Sequence, residues 1–468
     1  MHKDFPQKYT GRVNRDTEIV ALVENSCKTT NPVVAGRVIG LIDGEGALPG
    51  DNAGGVERGF VLQDATGRLV IAAEVLPEVG AIVEVMVGRS ADGSYIIVGE
   101  AVVLADCEDF YISLKSSPNY QRMLIDQNLR DNLVKRGAVM GAMREYFVGR
   151  GFTEVDTPCL VRLPGMEPYL DVFKTHFEAD FSAEQKLSEE MYLITSPEYQ
   201  MKKLLVGGLE KIFQITKSFR NKETFSERHN PEFTILEWYR AYASYLEIME
   251  DTEGLVKFLW EKFGGRDVDG QLGILKVAGQ EVVLMSKWRR LTVLDAFKEF
   301  AGIDEKTFFD LNLFRAEVKK RGYTISDEAL FEECFFVIFM NEIEGKLGFG
   351  QPVILYDYPL SMAALSKRCQ RDERFAERFE VYVGGMELCN AFTELNDPVE
   401  QERRLNLERE ERIKLGKDIY SVDKSFIEAL KFGMPPAGGN ALGVDRLIML
   451  ILGTKDIREV LSFPHSDL

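Results

Sequence analysis

The chain is poor in cysteine and histidine, and it contains no long apolar run. Its six cysteines, Cys27, Cys107, Cys159, Cys334, Cys369 and Cys389, stand far apart, with no CxxC pair and no histidine at ligand spacing. That excludes a zinc knuckle and a disulfide framework alike. Each is expected to be a reduced thiol that packs as a small buried hydrophobe. No stretch approaches the roughly 18 apolar residues of a membrane span, so no membrane contact is expected. Met1 to Glu24 carries charges throughout and no apolar core of a secretion signal, which makes a cytoplasmic protein the expectation. Basic charge is also short, with 57 Lys and Arg against 75 Asp and Glu and a net charge of −18. Nucleic-acid affinity comes from cations that neutralise phosphates, so a surface devoted mainly to nucleic acid is excluded. One local basic groove is not. Fixed-period repeats and low-complexity tracts are absent.

What is present is an ordinary globular composition, 45% hydrophobic over 468 residues. That length suits two domains, one of them large. The runs VVAGRVIGLI, GFVLQDATGRLVIAAEVL, AIVEVMVG and SYIIVGEAVV, with DATG and SADG turns between them, predict about five short strands. An OB-like barrel over 33–105 fits them, and a small sandwich is the alternative. An N-terminal extension, 1–32, precedes it, and a polar linker, 106–126, follows. The large domain is expected over 127–468. Leu133, Val134, Ala138, Val139, Ala142, Met143 and Phe147 predict a helix from Leu129 to Gly151. Strand-like runs (MYLIT, KIFQITKSFR, PEFTILEWYRAY, RFEVYVGGMELCNAFTEL) then alternate with helical segments at 246–263, 292–300 and 398–415. The predicted class is antiparallel α+β.

Chemistry concentrates in SFRNKETFSERHNPEFTILEWYRAY, Ser218 to Tyr242. Arg220, Arg228 and His229 bracket a loop, and Phe233, Glu237 and Tyr239 then alternate along a strand, so they share one face. Such a face suits a nucleotide: a guanidinium holds phosphate oxygens bidentately, and an aromatic ring stacks on a base. Glu380 and Glu387, set among VYV and LCNAF, are carboxylates that half-burial obliges to find a partner. Asn390, Phe392 and Glu394 again share a face by alternation.

SFRN, RHNPEFT and LEWYRAY together resemble motif 2 of the class II aminoacyl-tRNA synthetases, specifically the lysyl branch. GNALGVDRL, Gly439 to Leu447, resembles motif 3, and the helix before Gly151 with GFTEVDTPCLV resembles motif 1, which builds a homodimer interface in that fold. The resemblance covers roughly Tyr120 to Leu468 and implies an antiparallel catalytic sheet flanked by helices. It implies ATP bound by Arg220, Asn221, Glu223, Arg228, His229, Phe233 and Arg446. Glu380 and Glu387 are implied to hold Mg²⁺ with the phosphates, as hard oxygen ligands suit that ion. Glu198, Glu237, Tyr239, Asn390, Phe392, Glu394, Ala441 and Gly443 are implied to line the pocket of a lysine-type amino acid, a dication met by carboxylates. Arg220 would hold the α-phosphate and Arg446 the γ-phosphate while the substrate carboxylate forms an aminoacyl-adenylate.

Finer detail resembles the elongation factor P lysine ligases, paralogues that modify a protein lysine with β-lysine. TSPEYQMKKLLVGG, AERFEVYVGGMEL and IEALKFGMPPAGGNALGVDRLIMLILG carry that likeness, and Ala441 stands where lysyl-tRNA synthetases usually have Gly. The barrel points the same way. Its acidic residues, Asp43, Glu45, Asp51, Glu57, Asp64, Glu74, Glu78, Glu84 and Asp92 among them, outnumber Arg37, Arg58, Arg68 and Arg89 by more than two to one. Its aromatics are Phe60 and Tyr95, whereas an OB groove for RNA combines positive charge with stacking rings. Transfer to elongation factor P is therefore the first expectation, charging of tRNA(Lys) the alternative, and an inactive regulatory paralogue a third. Lys222 departs from the family's FRNE, and Glu223 follows it in a loop one residue longer than usual.

Overall fold

A computed structural model of the protein describes residues 17–23, 27–29, 31–43, 56–99, 101–107, 112–180, 186–223, 226–265, 272–363 and 365–468. Most of the expected extension, part of the expected linker, and Glu45 and Asp51 lie outside the described residues. The chain forms two compact units, Met1–Arg130 and Asp131–Leu468. No described helix is long and apolar enough to cross a membrane.

The first unit holds helix α1 (Ile19–Val23), strands β1 (Val33–Asp43), β2 (Arg58–Gln63), β3 (Arg68–Ala72), β4 (Ile82–Arg89), β5 (Tyr95–Ile97) and β6 (Val102–Ala105), and helix α2 (Asn119–Arg122). The long strand β1 pairs with β2 through one stretch and β4 through the other, with a register shift between Val38 and Gly40. The order β1-β2-β3-β5-β4 thereby closes on itself, and β6 adds to β4. Closure removes the free edges, so this is an OB-like barrel and not a sandwich. Val34, Val38, Phe60, Leu62, Ile71, Val83, Val85 and Val87 fill it. Of its acids, Asp64 is structural: it accepts from the amides of Ile19, Thr66 and Gly67.

In the second unit the helix α3 (Gln127–Val148) buries Val139, Ala142, Met143 and Phe147. Val134 and Ala138, counted among its apolar positions from sequence, are exposed instead. The smaller strands come first: β7 (Thr153–Glu154), then β8 (Leu160–Val161), β9 (Lys174–Asp180) and β10 (Lys186–Leu193), the last three forming a separate sheet. Helix α4 (Glu198–Val206), strands β11 (Lys211–Phe219) and β12 (Glu232–Ala241), helix α5 (Tyr245–Phe263) and the hairpin β13 (Leu275–Val277), β14 (Gln280–Val282) follow. Strands β15 (Arg289–Thr292), β16 (Val353–Pro359), β17 (Phe375–Val383), β18 (Met386–Thr393) and β19 (Ala437–Gly443) complete an eight-stranded sheet of order β15-β16-β17-β18-β19-β12-β11-β7. Its six central strands are antiparallel. The two edge pairings, β7–β11 and β15–β16, are parallel. That departs from the antiparallel expectation because each edge strand returns through a long crossover, which parallel pairing requires.

One face of the sheet is greasy: Phe213, Leu236, Trp238, Phe379 and Leu442 pack with α5 and with α12 (Val444–Leu452), Ile448 of α12 among them. Helices α6 (Val293–Ala301), α7 (Glu305–Phe309), α8 (Leu311–Lys320) and α9 (Phe331–Ile338) enclose a second core of edge-on and stacked rings, including Phe297, Phe308, Phe314, Phe335 and Phe339. The sequence foretold only the first of these four helices. Helices α10 (Pro398–Lys414) and α11 (Lys424–Gly433), capped by Asp397 and Asp423, lie later in the chain. The described cysteines are all free thiols, but only Cys334, Cys369 and Cys389 are buried; Cys27, Cys107 and Cys159 are half-buried.

Candidate active site

The site is the other face of three adjacent strands. Side chains across antiparallel neighbours point the same way, so register builds the floor row by row. Glu237 of β12 lies opposite Ala441 of β19, which lies opposite Asn390 of β18. Tyr239, Gly439 and Phe392 make the next row. Gly439 has to be glycine, since a Cβ there would stand 2.4 Å from Glu394 Oε1 and 2.4 Å from the Tyr239 ring. A cavity of about 240 Å³ opens above this floor.

Arg220, Glu223, Arg228, His229, Phe233, Glu387, Arg446, Glu198, Tyr239, Asn390, Phe392, Glu394, Ala441 and Gly443 line that cavity. Asn221, Glu237 and Glu380 do not. Asn221 turns to the loop at Asp171, bonding its backbone amide to the Asp171 carbonyl and its side-chain amide to the Val172 carbonyl. Glu237 shares the floor's face but has no exposed surface, because it accepts from Ser196 Oγ at 2.6 Å and from Tyr239 Oη at 2.9 Å. Glu380 accepts from Arg378 at 2.7 Å and Tyr382 at 2.6 Å.

Arg220 and Arg446 make the cationic end. The Arg220 guanidinium stacks 5.0 Å from the centre of the Phe233 ring, and its buried Nε has no hydrogen-bond partner among the described residues. Arg446, in the first turn of α12, donates to the Glu387 carbonyl at 3.1 Å and approaches Glu387 Oε2 at 3.3 Å. Its other terminal nitrogen is 2.9 Å from His229 Nε2. Burial and the Arg446 charge hold the His229 ring below its ordinary proton affinity, so it meets that arginine as a neutral acceptor. Burial, with Glu380 nearby, pushes the Glu387 carboxyl up against the pull of Arg446 and Arg220.

The anionic end holds a residue the sequence reading missed. Lys202 of α4 is fully buried, 2.6 Å from Glu198 Oε1 and ion-paired with Glu394 Oε2. Burial works against its charge, but Glu198 and Glu394 more than offset that and hold its ammonium above the usual lysine range. The i,i+4 spacing of Glu198 and Lys202 was the available signal. Burial, then the Glu198 charge, pushes Glu237 up to about 8. Burial raises Glu394 as well, with Lys202 opposing. Glu167, also unread in the sequence, lines the same cavity.

Residues 113–467 match the class II tRNA synthetases (D, K and N). The chain belongs to that family. It is 40% identical over 362 residues to the lysine–tRNA ligase of Clostridium botulinum strain Loch Maree, covering 75% of this chain and 67% of that one. It is 37% identical over 349 residues to the lysine–tRNA ligase of Oceanobacillus iheyensis, covering 74% and 67%. A third such ligase, from Clostridium perfringens strain SM101, is 37% identical over 348 residues, covering 73% and 66%. As a member of this family the protein is a ligase that forms an aminoacyl-adenylate. The three-strand floor, the Arg220–Phe233 stack and Arg446 at a helix start all border the one cavity described above.

Proposed function

We propose that the protein activates lysine, or an isomer of it, with ATP and transfers the aminoacyl group to tRNA. The observation that carries the activation step is one cavity with two opposed ends: arginines, of which Arg220 has an unpartnered Nε among the described residues, and buried carboxylates around Tyr239. In-line attack by the substrate carboxylate on the α-phosphorus expels pyrophosphate. Arg220 would hold the α-phosphate and Arg446 the γ-phosphate, offsetting charge on the equatorial oxygens. Glu387 and, behind it, Glu380 would hold Mg²⁺. The fit is that burial and the neighbouring Glu380 carboxylate raise the proton affinity of Glu387, which a divalent cation would relieve. That ion would supply charge neutralisation on the phosphates. Tyr239, Asn390, Phe392, Glu394, Ala441 and Gly443 would form the amino-acid pocket.

The relatives at 37–40% identity are lysine–tRNA ligases, which supports tRNA ahead of elongation factor P as acceptor. Ala441 favours the protein acceptor as a second reading, since its methyl sits between Glu237 and Asn390 in the floor and narrows the pocket. A homodimer belongs to the proposal. Helix α3 exposes Val134, Ala138, Gly141 and Val148 at helical spacing, a face suited to a second copy. Pyrophosphate exchange with α-lysine and β-lysine, then transfer to tRNA(Lys) and to elongation factor P, tests all of this. Exchange without transfer to tRNA would refute the first reading of the acceptor.

A further inference from the structure

Glu167 lies in the loop between β8 and β9, outside every motif singled out above. Two contacts fix it. Arg412 of α10, fully buried, donates to the carbonyls of Glu167 at 2.7 Å and Leu170 at 2.8 Å, which pins the loop. Gly165 leaves the carboxylate its place: a Cβ there would stand 2.4 Å from Glu167 Oε2. So held, the carboxylate lines the cavity beside Thr195, Ser196 and Glu198.

The carboxylate is poorly supplied with donors. Its side-chain partner is Thr195 Oγ1, at a long 3.4 Å. Burial and the neighbouring Glu198 raise its proton affinity, while Arg220 and Arg412 act the other way. A second acceptor in the cavity is also short. Glu394 is 1% exposed and its Oε1 has no hydrogen-bond partner among the described residues. A buried acceptor left unpaired is unfavourable, so Glu394 Oε1 calls for a cationic donor, and the half-buried Glu167 carboxylate, with one long hydrogen bond, has room for another.

The two differ in position. Glu394 neighbours Tyr239 and Lys202, whereas Glu167 is close enough to Arg220 to feel its charge. Arg220 is where the α-phosphate is placed above, and the substrate carboxylate must react there. An ammonium beside Glu167 is then the one nearer that carboxylate. We propose that Glu167, together with Glu198, receives the near amine of a diamino-acid substrate and sets the preference for it. The proposal rests on the amino-acid activation argued above and adds a specificity-determining residue to it.

The test is a substrate-by-variant cycle on the full chain, read by pyrophosphate exchange. The substrates are lysine, 6-aminohexanoate, which has only the far amine, and norleucine, which has only the near one. The variants are Glu167→Gln and Gly165→Ala, the second keeping the carboxylate but displacing it. Glu167→Gln is expected to raise KM for lysine and norleucine roughly tenfold or more. It should leave KM for 6-aminohexanoate and ATP within about twofold and kcat within about threefold. Gly165→Ala should move the same constants in the same direction by less. Equal effects on lysine and 6-aminohexanoate, or no effect in either variant, would overturn the role of Glu167 alone. Absence of wild-type exchange with both α-lysine and β-lysine would overturn the activation reading and this inference with it.

Discussion

The proton on Glu237 makes substrate binding pH-dependent in a calculable way. Its carboxyl has no exposed surface and is pushed up to about 8 by burial and by Glu198. At pH 7 most such groups hold a proton and ionising one takes on the order of 1 kcal/mol, whereas at pH 8.5 most are already ionised and the step takes only a small fraction of that. An ammonium entering beside Tyr239 favours the ionised form, so binding of a diamino acid should strengthen roughly eightfold across that range through this group. Glu394 and Glu408 are raised by burial too and add slopes of their own. The clean quantity is therefore the ratio of dissociation constants, Glu237→Gln over wild type, measured by calorimetry with lysine at pH 7.0 and 8.5. That ratio should grow about eightfold. Folding stability should show the opposite slope. Glu237 binds more protons folded than unfolded between about pH 4.5 and 8, so its contribution is present at low pH and lost as pH rises through that window. Glu237→Gln should remove that part of the decline in thermal unfolding. A ratio that stays constant within twofold would refute the reasoning.

Gly439→Ala drives a methyl to 2.4 Å from both Glu394 Oε1 and the Tyr239 ring, and should raise KM for the amino acid at least about tenfold in exchange assays. Lys202→Met leaves Glu198 and Glu394 without their shared ammonium. It should destabilise by about 3–5 kcal/mol at pH 8.5 and by less at pH 6, where Glu394, raised by burial, takes up a proton, as read by urea unfolding. Arg136→Met removes the partner 2.6 Å from buried Asp445 at the start of α12 and should cost about 3–5 kcal/mol in the same measurement. Glu223→Gln should raise KM for ATP severalfold, because Glu223 lines the cavity 3.5 Å from Arg220. Lys222→Ala should stay within about twofold, since Lys222 is exposed and faces Asp171.

What could be read from sequence was whatever depends on strand period. Alternation put Phe233, Glu237 and Tyr239 on one face of β12, and they share it. Depth is another matter: period 2 cannot tell that Tyr239 lines the cavity while Glu237, on the same face, is fully covered. Lys202 looked like one of two ordinary lysines in MKKLL, and only packing against β18 makes it a buried ion. Glu167 lies in a loop with no period at all, placed by Arg412 from 245 positions along the chain. The parallel edges of the sheet escaped for the same reason. Pairing between segments far apart in sequence leaves no local mark, whereas the closed barrel of β1 to β5 announced itself through turns between neighbours.

Lys202 also changes what the carboxylate cluster can select. Without it, Glu198, Glu237 and Glu394 would together repel one another and attract any cation. With it, one oxygen each of Glu198 and Glu394 is occupied, and the Ser196 and Tyr239 hydroxyls satisfy Glu237. What remains open is a small set of acceptors at fixed places, Glu394 Oε1 and the Glu167 carboxylate among them. A substrate without an amine at one of those places leaves a buried acceptor unpaired. A pocket that must hydrogen-bond a polar group disfavours analogues lacking it far more than an apolar pocket separates substrates by a methylene. Discrimination against analogues with an uncharged side chain, such as norleucine, should therefore reside in binding and adenylation at this one cavity, with the internal lysine setting how many amines it counts.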